Sequence, residues 1–255
     1  MATATPSFKT VPKSAAALPG RRYDHYFFSS VAALMLGAVI LGFGPSYYFA
    51  GVLKAPVPSA IIHVHGAVFT CWMVLLIGQT SFASIGRVDL HKKLGVAGSV
   101  LAPLMLILGV WAATDSLTRA PRVPGRDPLA FYAIPLISVI AFATLILFAL
   151  RQRRNPQAHK RIILVANVAL MTAAIARFPF AFVHRRAPIA MLCEYSFLVL
   201  LIAYDLWSMR KLQRSTLGAA AFLVSAQWTA IFFSHAAVWH AFALAVQTWA
   251  KAHMV

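Results

Sequence analysis

The stretch from Ile61 to Gln79 is apolar enough to cross a bilayer, yet it carries His63, His65, Trp72 and Gln79. On an α-helix His65, Trp72 and Gln79, spaced by sevens, fall on nearly one stripe. Polar groups on a lipid-immersed helix turn toward the bundle interior, because hydrocarbon leaves them unsatisfied. Imidazole coordinates haem iron and transition metals, so ligation is the chemistry this stripe offers. His63 and His65 lie ~200° apart on a regular helix. They ligate one metal together only if the helix begins after them.

Further ionisable groups fall at a similar depth in other apolar stretches: Arg177, Glu194, His235 and, just beyond, His240. An arginine and a glutamate at one depth predict an ion pair, since either charge alone is costly in lipid. Such a pair either clips two helices together or gates a polar pathway. The candidate cofactor-binding residues are therefore His63, His65, Arg177, Glu194, His235 and His240. His65, Glu194 and His235 form the candidate metal set. His65 opposite His235 or His240 suits haem b or a transition metal, with Arg177 neutralising a propionate or another anion.

A second constellation sits at the other ends of the helices. Gly86-Arg-Val-Asp-Leu-His-Lys-Lys-Leu-Gly95 and Asn155-Pro-Gln-Ala-His-Lys-Arg161 are short basic turns, with Gln79, Asn167 and Asp205 nearby in depth. Glu194 and Asp205 are eleven residues apart, a net rotation of only ~20°, so one helix face carries both. Asp205 is expected to pair with Arg161 or a basic turn residue, and the bland reading of this set is topology-setting loops. His91 and His159 are its ligands if it is instead a haem or quinone site.

The elements that must position these residues are transmembrane helices. The chain has 255 residues, of which 60% are hydrophobic and only 11% charged, against about 25% charged in soluble domains. Seven apolar spans, near 27–47, 59–83, 94–115, 129–150, 161–182, 188–208 and 217–236, each approach the ~20 residues a bilayer requires. The fold class expected is an all-α, polytopic membrane bundle of seven helices over 27–255, after a disordered cytoplasmic tail at 1–26. The segment near 237–251 reads as the frayed end of the seventh helix or an interfacial helix.

The net charge of +17 sits between spans, so its partner is the lipid bilayer and not nucleic acid. With the N-terminus cytoplasmic, about two thirds of the basic residues fall inside, which predicts N-in, C-out by the positive-inside rule. Cys71 and Cys193 lie inside spans and read as buried small hydrophobes. No nucleophile elbow, P-loop, dinucleotide-binding glycine motif or zinc spacing is present, and the last span lacks the lysine of a retinal Schiff base.

The run His65…Trp72…Gln79…Gly86-Arg87…His91-Lys-Lys-Leu-Gly95, then Asn155-Pro…His159-Lys-Arg and Tyr204-Asp-Leu, resembles a group of uncharacterised bacterial multi-pass membrane proteins over about residues 58–215. It is similar, more loosely, to small membrane proteins associated with haem or cytochrome oxidase assembly. The resemblance implies a bacterial inner-membrane protein that handles haem b or a metal, with a membrane redox or oxidase-assembly partner. The function expected is haem or metal binding in redox or cytochrome assembly. The alternatives are a transporter gated by Arg177 and Glu194, or a structural subunit of a membrane complex.

Overall fold

The computed structural model describes residues 23–56, 58–119 and 127–254, and among these the regular structure is entirely helical. Ten α-helices follow in order: α1 (Asp24–Phe43), α2 (Ala60–Ser84), α3 (Val88–Arg119), α4 (Pro128–Phe131), α5 (Ala133–Arg151), α6 (Pro156–Val168), α7 (Met171–Ile175), α8 (Ala187–Met209), α9 (Arg214–Phe233) and α10 (Ala237–His253). A π-helical turn, Gly44–Tyr48, continues α1. Taken with their short continuations, seven segments are long and apolar enough to cross a membrane. The protein is an all-α polytopic bundle.

Local chemistry accounts for the boundaries. Asn155 Oδ1 accepts from the Ala158 amide and Asp127 Oδ1 from that of Leu129, each with a proline at the first helical position, where its missing N–H costs nothing. The first helix begins at Asp24, inside the stretch expected to be tail; the remainder of that expected tail, 1–22, and the Pro124-Gly125 break lie outside the described residues. The third begins at Val88, six residues before its apolar run, because Asp89, His91 and the lysines are tolerated where the helix emerges from the apolar layer.

The fifth span differs most from expectation. It ends at Ile175, not near residue 182, and is interrupted at Ala169–Leu170. Asn167 Nδ2 donates to the Ile163 carbonyl and the Leu170 amide bonds only three residues back, to Asn167; side-chain competition of this kind loosens a helix. This span, α6 with α7, is also the central one. It is 72% buried, against 17–44% for the other six, and it has the lowest mean hydropathy, 1.4. The two facts have one cause: the helix bearing Arg161, Asn167 and Thr172 must be surrounded by protein, here α1, α5, α8 and α9. Its contact with α1 is close, because Gly42 lies directly on the carbonyl of Ala174.

Helix α10 is a separate element joined to α9 by a turn, not the frayed end of the seventh span. It packs on α3 and α4, where Trp239 Nε1 donates to the Leu129 carbonyl and Gln247 Nε2 to that of Leu117, at 2.8 and 2.9 Å. Both cysteines are free thiols; Cys193 is half-buried, whereas Cys71 is exposed on the flank of α2, which corrects the buried reading of that residue.

Candidate functional site

Two polar layers cross the bundle core. In the first, Arg161 of α6 and Asp205 of α8 are both fully buried, with Arg161 Nε 2.8 Å and Nη2 2.6 Å from Asp205 Oδ1. Thr216 Oγ1 of α9 donates to Asp205 Oδ2 at 2.5 Å. Arg161 Nη1 donates to the carbonyl and side-chain oxygen of Gln157, and Nη2 to Met209 Sδ. In the second layer, Thr172 of α7 donates to Glu194 Oε2, and Gln227 Nε2 of α9 donates to Glu194 Oε1 at 2.5 Å. Tyr195 donates its hydroxyl to Gln227 Oε1 at 2.9 Å.

The layers repeat one register. Arg161 to Thr172, Glu194 to Asp205 and Thr216 to Gln227 are each eleven residues, about three helical turns, so α8, α9 and the interrupted α6–α7 span each supply a group to both layers. Antiparallel neighbours then meet at a constant sum of residue numbers. Between the layers, Trp72 Nε1 of α2 donates to Asn167 Oδ1 at 2.8 Å, as expected of a polar stripe turned inward.

Asp24, at the start of α1, extends the first layer to the bundle face on which α1 begins. It accepts from Lys160, from Tyr204 Oη at 2.7 Å and from Gln157 Nε2 at 3.4 Å. Phe27 stacks on the Tyr204 ring with centroids 3.8 Å apart. Asp24, Thr172, Thr216 and Gln227 were absent from the sequence-derived candidates. The eleven-residue spacing of Thr216 and Gln227, matching that of Glu194 and Asp205, is the sequence signal by which two of them could have been found.

The same face holds two histidines. His91, at the start of α3, places Nδ1 3.3 Å from the Gln79 carbonyl, and His159, at the start of α6, places Nδ1 2.8 Å from the Ala149 carbonyl. A carbonyl only accepts, so Nδ1 is the donor in each contact and Nε2 is the ring nitrogen left for another partner. Gln79 Oε1 is buried and has no hydrogen-bond partner. Histidines that bind metals have this construction, in which a main-chain carbonyl fixes the tautomer.

On the opposite face the sequence-derived candidates disperse. His63 and His65 both lie within the regular turns of α2, which points them apart: His63 is exposed, His65 half-buried. The His65 ring packs against Phe69, and its Nδ1 is buried without a partner. His235 is exposed in the turn after α9. His240 Nε2 lies 2.9 Å from Asp127 Oδ2, at ion-pair distance but off the hydrogen-bonding direction. Among the described residues no three His, Cys, Asp or Glu side chains come together as a metal-holding group. The trio His65, Glu194 and His235 is thus not assembled: Glu194 is occupied by Thr172 and Gln227, and His235 faces outward.

The expected Arg177–Glu194 pair is not formed either. With the fifth span ending at Ile175, Arg177 lies beyond the helix, where it donates to the Ala173 carbonyl at 2.6 Å and stacks 4.6 Å above the Phe43 ring. A double-mutant cycle on Arg177→Gln and Glu194→Gln is accordingly expected to give a coupling near zero, within about 0.5 kcal/mol, when unfolding is followed in mixed micelles. Glu194→Gln itself retains an acceptor for Gln227 and gains a donor for Thr172.

No protein-family model matches the chain, and no curated protein or solved structure matches it.

Proposed function

We propose that this is a membrane metal or haem protein in which His91 and His159 supply the imidazole ligands. The observation that supports the reading is the repeated construction: two imidazoles at the starts of different helices, each with Nδ1 set on a main-chain carbonyl. Haem b iron with two axial imidazoles and a transition-metal ion share this chemistry, the donation of an Nε2 lone pair. The unpartnered Gln79 oxygen is the adjacent polar group. In this reading the ligand role moves from His65, a single imidazole on the far face, to the two histidines on the face where α1 begins.

The role in this reading is redox chemistry or cytochrome assembly at a bacterial inner membrane, with a membrane redox or oxidase-assembly partner. The N-terminus is cytoplasmic in this reading, which puts the histidine pair on the cytoplasmic side among Arg87, Lys92, Lys93 and Arg151. That assignment follows the distribution of basic residues.

The test is the absorption spectrum of detergent-purified protein, oxidised and dithionite-reduced, with metal analysis on the same sample. Cells are supplied with iron, copper, zinc and a haem precursor. A Soret band that sharpens on reduction identifies haem; a colourless sample with stoichiometric metal identifies an ion site. Either signal is expected to vanish in His91→Ala and His159→Ala and to persist in His65→Ala. A wild-type protein with neither colour nor metal overturns the proposal, as does binding that survives removal of both histidines.

A further inference from the structure

The chain carries six acidic residues, five aspartates and one glutamate, and all six lie among the described residues. Each aspartate has a basic side chain at ion-pair distance: Asp24 has Lys160, Asp89 has Arg87, Asp115 has Arg119, Asp127 has His240 and Asp205 has Arg161. Among the described residues Glu194 has no such partner. Yet it is fully buried, about 10 Å into α8 at 1.5 Å per residue.

Its neighbours are uncharged. Thr172 donates to Oε2, Gln227 Nε2 donates to Oε1 at 2.5 Å, and Tyr195 donates its hydroxyl to Gln227 Oε1 at 2.9 Å. The helices packed most closely on α8 are α6, α7 and α9. Helix α7 has no charged residue, and Arg214, the only one of α9, stands at its first position, far from Gln227. The basic residues of α6 are His159, Lys160 and Arg161; Lys160 faces Asp24 and Arg161 faces Asp205. Arg177, beyond α7, turns to the Ala173 carbonyl and the Phe43 ring. The α6–α7 span thus gives Asp205 an arginine, whereas in the second layer it gives Glu194 a threonine. A lone carboxylate inside a lipid-embedded bundle is costly, and a bound cation removes that cost.

We propose that Glu194 is a proton-binding site, where the proton is the counter-cation that Arg161 provides for Asp205. The surroundings accept a carboxylic acid with the helices in place. Thr172 keeps its bond to Oε2, and the acid proton on Oε1 points at Gln227. The Gln227 amide, turned end for end, offers its oxygen to that proton and its N–H to Tyr195 Oη, so each bond is kept with its direction reversed. A hard metal ion takes about six or more oxygen ligands, whereas Thr172 and Gln227 already stand at hydrogen-bond distance from the carboxyl. Tyr195 is half-buried, so the chain of bonds leads from the buried acid toward the flank of the bundle. The site shares no residue with His91 and His159 and stands independently of the function proposed for them.

The test is infrared spectroscopy of the full-length protein in liposomes, made by cell-free synthesis with glutamate isotopically labelled at its side-chain carboxyl carbon. Glu194 is the sole glutamate, so the label reports one side chain. At about pH 6, where an ordinary glutamate is ionised, the wild type is expected to show the isotope-shifted C=O stretch of a neutral acid. Gln227→Lys, which brings an ammonium to the carboxyl, should replace that band with carboxylate bands at the same pH. A carboxylate signal from the wild type overturns the proposal, and one that changes when sodium replaces potassium assigns the site to a metal cation instead. A neutral-acid band that survives Gln227→Lys, in protein whose circular dichroism shows it folded, also overturns it, because the missing cation is then not the cause.

Discussion

Asp205→Ala is expected to destabilise the bundle by about 3–5 kcal/mol, the cost of leaving a buried charge without its partner. Arg161 is fully buried, and its Nε and Nη2 both reach Asp205 Oδ1. Its other contacts, Gln157, the Met209 sulfur and the Phe28 ring, carry no charge. Removing the carboxylate therefore leaves a guanidinium at the centre of a lipid-embedded bundle, and removes the acceptor of Thr216 as well. Arg161→Met should cost a similar amount. The double variant Arg161→Met, Asp205→Leu should recover much of the loss, because a well-packed apolar replacement of a buried pair is often neutral. Unfolding free energies measured by circular dichroism in mixed micelles give the cycle directly. Single losses near zero would show that the pair contributes nothing to the fold. The contrast with Arg177 and Glu194, for which no coupling is expected, uses the same assay.

Gly42→Ala is expected to cost about 2–3 kcal/mol, whereas Gly37→Ala, five residues earlier on α1, should be neutral or stabilising. A Cβ at Gly42 would stand 2.2 Å from the Ala174 carbonyl oxygen and 2.8 Å from its carbon. Those are backbone atoms, so no side-chain rotation relieves the clash and the helices must separate. Overpacking of this kind costs about 1–3 kcal/mol and sometimes more. A Cβ at Gly37 meets nothing, and alanine there gains the roughly 0.5–1 kcal/mol that glycine forfeits in a helix. Thermal unfolding of the two variants side by side decides the matter. Equal effects would mean that α1 and the central span are not in close contact at Gly42.

The seven spans and the inward turn of the polar stripe were determined by the sequence itself. A bilayer demands some twenty apolar residues per crossing and hides polar groups inside, and both demands are visible in a one-dimensional pattern. Trp72 and Asn167 met as that rule requires, and so did Arg161 and Asp205, which was among the pairings expected. The eleven-residue spacing of Glu194 and Asp205 was also legible, since it follows from helix geometry alone.

Which partner each polar group took was a tertiary decision. Glu194 and Arg177 share a depth only if the fifth span runs to residue 182, but it stops at Ile175. Glu194 then met Thr172 and Gln227, uncharged residues that a search for ionisable groups passes over. The start of α3 at Val88, not near residue 94, made His91 helical and set it on the Gln79 carbonyl, and the packing of α5 with α6 set His159 on that of Ala149. Apolarity specifies that a helix is buried in lipid and says little about its rotation or its neighbours, because one hydrocarbon-facing side chain is much like another. Those choices came from close contacts such as Gly42 on Ala174 and from hydrogen bonds between helices, which exist only once the bundle is assembled.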